Sequence, residues 1–125
     1  MGLKTIPARI LELGRQRPDE PALYHFENHN WSHLSWSQYA DRAVAFAAAL
    51  LAHECPAGQG LAIMSDGCPE WLIADVGAMM VGVVPAGVYQ TSTAEQVAYI
   101  VNHCEAQIFV IQNREIWSRV STQVM

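Results

Sequence analysis

Three histidines stand four residues apart at His25, His29 and His33, and that is the first spacing in the chain that could do chemistry. On a helix it would align three imidazoles as metal ligands. Here the flanking residues, PALYHFE and WSHL around Asn28-His29-Asn30, read as two strands and a polar turn. A three-residue turn centred on His29 would set His25 and His33 opposite each other across the hairpin. Two imidazoles without a third ligand make a poor zinc site, so an exposed polar hairpin is the expected reading and no metal ligand is assigned. Cys68 is a second candidate. It follows an apolar strand and opens a helix, where the helix dipole can lower a thiol's pKa. His53 and His103 are the candidate bases, and nothing in the sequence places either beside it. The third is Ser65-Asp66-Gly67, a loop ahead of the same helix N-terminus that could meet a phosphate.

The phosphate reading has little behind it. Neither G-x-G-x-x-G nor G-x-x-x-x-G-K-[ST] occurs, and Lys4 is the only lysine. No residue is therefore assigned as catalytic, cofactor-binding or metal-binding. Trp71, Met79, Met80 and Trp117 are expected in the core or at an interface.

These residues have to be positioned by an alternation of strands and helices. Strands are expected at residues 60–65, 83–88 and 107–111, with helices at 69–81 and 93–104. Short apolar strands alternating with helices of about a dozen residues imply parallel pairing through right-handed crossovers. Pro69 suits the first position of its helix, with Leu72, Val76, Met79 and Met80 as the buried stripe. The cap of the next helix is either Ser92 with Glu95 or Thr93 with Gln96. Asn113 caps a last helix carrying Ile116, Trp117, Val120 and Val124.

Ahead of this unit, Ile6, Ile10, Leu11 and Leu13 mark an amphipathic helix over residues 5–17, which Pro18 ends. After the hairpin, Ser35 and Gln38 form a capping box for a long helix to about His53. Its expected inner face is Tyr39, Ala43, Phe46, Ala47, Leu50 and Leu51, and its many alanines permit close approach to a neighbour. The fold class is α/β: an N-terminal β-hairpin with helices (residues 1–58), then a βαβαβ parallel half-sheet with a terminal helix (residues 59–125). Both edges of that half-sheet are expected to be open.

Composition points the same way. Of the 125 residues 51% are apolar and only 15% charged, where about 25% charged is usual for soluble domains. So few charges imply that some apolar surface faces more protein, either the remainder of a larger chain or an oligomer partner. A net charge of −5, with six scattered arginines, argues against nucleic acid. No basic-then-apolar start reads as a secretion signal, and the longest apolar run, 76–88, contains Pro85 and is too short to span a bilayer. Three cysteines without a C-x-x-C pair suit a reducing cytoplasm, with membrane contact at most peripheral.

The ordered segments resemble the N-terminal part of the adenylate-forming (AMP-binding) acid–CoA ligases, most closely the long-chain fatty acyl-CoA synthetases. Pro18-Asp19-Glu20-Pro21-Ala22-Leu23 is similar to that family's "PD-x-PAL" strand. Leu34-Ser35-Trp36-Ser37-Gln38-Tyr39 resembles its "L-[TS]-[YW]-x-[EQ]-[LY]" motif. Gly58-Gln59-Gly60-Leu61-Ala62-Ile63-Met64 is similar to "G-D-x-V-A-I-[LM]", and Pro69-Glu70-Trp71 to "PEW". The stretches at 80–89 and 91–100 resemble "x-A-G-x-[VY]-x-[VP]-x-x-Y" and "T-x-T-A-E-E-[VL]-x-Y-I". Departures are Gln59 for the usual aspartate, Gly67 for asparagine and Val81 for alanine. The resemblance runs from about Pro18 to Trp117.

It implies an enzyme that joins a fatty acid to ATP, with magnesium, and passes the acyl group to coenzyme A. The family's phosphate loop, adenine and ribose contacts and C-terminal lysine match no position here. The expectation is therefore an N-terminal fragment or truncated product, inactive alone and binding no cofactor itself. The alternative is a non-catalytic interaction module that self-associates or pairs with a partner chain.

Overall fold

The computed structural model describes residues 4–124. Helix α1 (Ile6–Gln16) begins where Thr5 accepts a hydrogen bond from the Ala8 amide, and Pro7 sits in its first turn, where no amide is needed. Pro7 and Ile10 are buried, and Leu11 packs beside them. Ile6, expected on the inner face, is 62% exposed, because Pro7 takes the position against the core.

Strands β1 (Pro21–Glu27) and β2 (Asn30–Ser35) form the expected hairpin. Its turn has two residues rather than three. Asn28 and His29 both adopt left-handed backbone (φ 51° and 63°), as a turn matching the right-handed strand twist requires. Asn30 is thereby drawn into β2, and the register moves. His25 faces Ser32 and Tyr24 faces His33, so the expected His25–His33 pair does not form.

Helix α2 (Trp36–Ala52) starts at the Ser35–Gln38 capping box, with both reciprocal bonds present. Tyr39, Ala43, Ala47 and Leu50 are buried along one stripe, with Phe46 packed beside it. Leu51 was expected there but is exposed. Helix α3 (Pro69–Met80) crosses it, burying Ile73, Ala74, Val76, Gly77 and Ala78. Small residues on both helices let the backbones approach, and this rotates Leu72 out to partial exposure, contrary to expectation.

The sheet is wholly parallel, with β3 (Gly60–Met64) between β4 (Val84–Gly87) and β5 (Ala106–Ile111). Pro85 is tolerated in β4 because Val84 and Val88 donate inward, to Gln59 and Ile63. The two-residue period then turns residue 85 toward the unpaired edge, where no amide is missed. Every residue of β3 is buried. Leu61 and Ile63 enter a core with Leu50, Ala74 and Ala78, whereas Ala62 and Met64 enter a second core on the other face. Helices α4 (Ala94–His103) and α5 (Arg114–Val124) supply Val97, Val101, Ile116 and Val120 to that second core. Fully burying a side chain such as Ile63 or Met64 contributes about 1.5–3 kcal/mol. Thr93 with Gln96, not Ser92 with Glu95, forms the α4 capping box. Asn113 caps α5, accepting from the Ile116 amide.

Candidate functional site

The loops leaving the three parallel strands part company. The chain leaves β3 for α3 on the α2 side, and leaves β4 and β5 for α4 and α5 on the other side. A crevice opens where adjacent strands send their loops to opposite faces, which is where α/β sheets commonly hold ligands. Here the hairpin closes it from one side, giving a cleft of about 870 Å³ between β1–β2, the ends of β3 and β5, and the start of α3.

Three polar residues knit the crevice rim, one from each loop. The Asp66 amide donates to Gln112 Oε1 at 2.9 Å, and Gln90 Nε2 donates to the same oxygen at 3.1 Å. Gln90 also donates to the Asp66 carboxylate. Sequence reasoning passed over Gln90 and Gln112. Their signal is positional, since each falls just beyond the carboxyl end of a parallel strand.

The sequence candidates fare differently. Cys68 does sit at the N-cap of α3, but the one hydrogen-bond contact of its thiol among the described residues is the Ser65 hydroxyl at 3.9 Å. His53 closes α2, and His103 stacks on Tyr99 in α4 with ring centroids 5.4 Å apart, and among the described residues neither is hydrogen-bonded to Cys68. His25 lines the cleft, His29 occupies the hairpin turn and His33 lies against Tyr24. Among the described residues no group of three histidine, cysteine or carboxylate side chains could hold a metal ion.

The loop Ser65-Asp66-Gly67 does not suit a phosphate. Pro69 removes one of the first-turn amides of α3, Glu70 adds a negative charge to that turn, and the Asp66 amide is already engaged with Gln112. Glu27, Asp66 and Glu70 line the crevice, and among the described residues no lysine or arginine does. These residues therefore do not fit the polyphosphate of ATP or the phosphates of coenzyme A.

Away from the crevice, Tyr39 of α2 and Asp75 of α3 form a titratable pair. Burial, and secondarily the Asp75 charge, push the Tyr39 phenol up to about 12. Burial also raises the Asp75 carboxyl. The Tyr39 hydroxyl donates a long, 3.5 Å hydrogen bond to the Leu72 carbonyl, which ties the two helices together.

Comparison with known proteins agrees with this architecture. The benzoate CoA ligase from Burkholderia xenovorans LB400 superposes with a TM-score of 0.83 at 20% identity, over 98% of this chain and 24% of that one. The anthranilate CoA ligase AuaEII, in complex with anthranoyl-AMP, gives 0.81 at 17% identity, over 99% and 24%. These likenesses establish the fold, a hairpin, helices and parallel three-stranded sheet as found in adenylate-forming ligases. In sequence, the long-chain-fatty-acid–CoA ligase ACSBG2 of Gallus gallus is 30% identical over 121 residues, 97% of this chain and 16% of its own length. The long-chain-fatty-acid–CoA ligase heimdall of Drosophila melanogaster is 30% identical over 90% of this chain and 17% of its own. The chain thus spans about a sixth of the length of these relatives. Residues 12–124 match the sequence family described as AMP-binding enzyme, and a match of that extent shows where this protein sits: it belongs to the AMP-binding enzyme family.

Proposed function

We propose that this chain is the N-terminal portion of an ATP-dependent long-chain fatty acid–CoA ligase. In that reaction the acid's carboxylate displaces pyrophosphate from ATP to give an acyl-adenylate, and the coenzyme A thiol then displaces AMP. AMP leaves far more readily than hydroxide, which is why the acid is activated first. Magnesium and cationic donors would stabilise the charge on the transferring phosphate. No residue of this portion is assigned to those steps. Its part is to buttress the nucleotide-binding remainder of the enzyme. The observation that carries this reading is the run of similarity to long-chain-fatty-acid–CoA ligases along 97% of the chain. The three free cysteines fit a cytoplasmic setting. No helix among the described residues is long and apolar enough to cross a membrane, which fits membrane contact that is at most peripheral.

The test is a chimera. The matched segment of the Gallus gallus ligase is replaced by this chain, and palmitoyl-CoA formation is compared with that of the ligase lacking the segment. Restored turnover by the chimera, with none from the 125 residues alone, is the expected outcome. Turnover of ATP and palmitate by the isolated chain would overturn it.

A second reading, a module that associates with its own copies, draws on the outward aromatics of the hairpin. Tyr24, Phe26 and Trp31 are 65%, 59% and 71% exposed. A defined dimer by sedimentation would favour it; a monomer would remove it.

A further inference from the structure

Charge is distributed unevenly along the chain. Residues 4–17 hold four of the seven basic residues and one of the twelve acidic ones, a net +3. Residues 18–125 therefore carry −8 against the total of −5. The positive segment is α1 with its two flanks, and Lys4, Arg9, Arg15 and Arg17 are all exposed. Arg9 and Arg15 lie on the half of α1 turned away from Pro7, Ile10 and Gly14, which face α2 and the core. Lys4 and Arg9 share Glu12, Arg17 reaches Glu20, and Arg15 has no carboxylate partner among the described residues. Exposed ion pairs of this kind are weak, so their cations exchange readily for another anion.

Uncovered aliphatic side chains adjoin these cations. Ile6 opens α1 and is 62% exposed. On α2, Ala40, Val44 and Leu51 fall within about 40° of one another around the helix. A Cβ on Gly14 of α1 would stand 3.0 Å from the Ala40 Cβ, so α1 covers the start of that stripe. Val44 and Leu51 continue it in the open, 47% and 61% exposed. Cations beside bare aliphatic groups match a surface that is anionic outside and apolar beneath.

We propose that α1 docks on an anionic lipid bilayer, with its cations on the lipid phosphates and Ile6 in the headgroup region. The acidic remainder of the molecule does not prevent this, because charges more than about 8 Å from the surface are screened at physiological salt. Single-stranded nucleic acid would call for stacking aromatics, and the exposed apolar neighbours of these cations are aliphatic instead. The docking rests on the ligase reading for its use: a long-chain fatty acid partitions into bilayers, and an enzyme held there meets its substrate.

The experiment takes the chimera described above and sediments it with vesicles of phosphatidylcholine, either pure or with about one-third phosphatidylserine. The ligase portion is common to every sample, so the readout is the difference among variants of this segment. Stronger partitioning to the phosphatidylserine vesicles is expected. Arg9→Gln with Arg15→Gln should weaken it about tenfold. Arg114→Gln with Arg119→Gln, at exposed positions of α5, changes the net charge equally and should alter it less than about twofold. Ile6→Gln should weaken it several-fold, and every variant should keep the thermal midpoint of the parent. Equal partitioning to the two vesicles, an equal loss from the α5 pair, or indifference to the α1 pair or to Ile6→Gln would overturn the proposal. Palmitoyl-CoA formation by the same chimera reads the ligase assignment separately. A chimera without turnover that still shows these differences would sink that assignment and leave the docking standing.

Discussion

A Cβ added to Gly77 of α3 would stand 2.7 Å from the carbonyl oxygen of Ala43 in α2. The two helices therefore meet backbone against backbone at this pair, with the Phe46 side chain closing the contact at 2.9 Å from the same point. Alanine favours a helix over glycine by about 1 kcal/mol. Forcing a methyl against a backbone oxygen in a packed core costs about 1–3 kcal/mol. The 2.7 Å approach to a backbone oxygen makes the clash the larger effect, and Gly77→Ala should lower stability by up to about 2 kcal/mol in urea unfolding. A stabilised variant would show that α2 and α3 can move apart freely.

Ser35 is both the last residue of β2 and the cap of α2, and it is buried. Its hydroxyl accepts from the Gln38 amide at 3.2 Å. Ser35→Ala should cost about 1–2 kcal/mol, the upper part of the range for caps, because water cannot readily replace the lost acceptor. The equivalent Thr93→Ala change is at an exposed cap and should cost less. Equal losses in paired denaturation curves would contradict this ordering.

The hairpin turn holds His29 at φ 63°, a conformation that glycine adopts freely and other residues do not. His29→Gly should stabilise the hairpin by up to about 1 kcal/mol, since Asn-Gly is the favoured pair for this turn. The check is a higher urea midpoint with an unchanged slope.

The Tyr39 phenol titrates at about 12 in the fold against an ordinary 10.0. The neutral form is the one the folded state favours. Its stabilising contribution is complete below pH 10 and is lost as the pH rises from 10 toward 12. Tyr39→Phe should flatten the stability profile over that window. Asp75→Asn should lower the Tyr39 pKa in an ultraviolet titration, because it removes the negative charge. It should also stabilise the protein at neutral pH, where burial of the charged Asp75 carboxylate is unfavourable.

Much of the architecture was legible from local chemistry. The Ser35–Gln38 box, Pro69 at the head of α3 and the Asn113 cap all depend on residues within one helical turn, and each forms as read. What failed depended on distant neighbours. Leu51 and Leu72 have the right spacing for an inner face, but the close α2–α3 contact at Ala43 and Gly77 sets which side of each helix is inward. The His25–His33 pairing failed by one residue of register, decided by the backbone at Asn28 and His29. The crevice was least legible, since Asp66, Gln90 and Gln112 meet only because three strand ends lie side by side.

Strand β3 belongs to both cores, with Leu61 and Ile63 on one side and Ala62 and Met64 on the other. It is also pinned at its start, where a Cβ on Gly60 would fall 2.0 Å from the Cys104 carbonyl oxygen at the end of α4. Neither core can melt while the other keeps β3 in place, so the two faces unfold as one cooperative unit. The hairpin packs through Ala22, Leu23 and Leu34 against a cluster that α1, α2 and α3 build and that holds no residue of β3, β4 or β5, which leaves it free to open locally while the sheet stays folded.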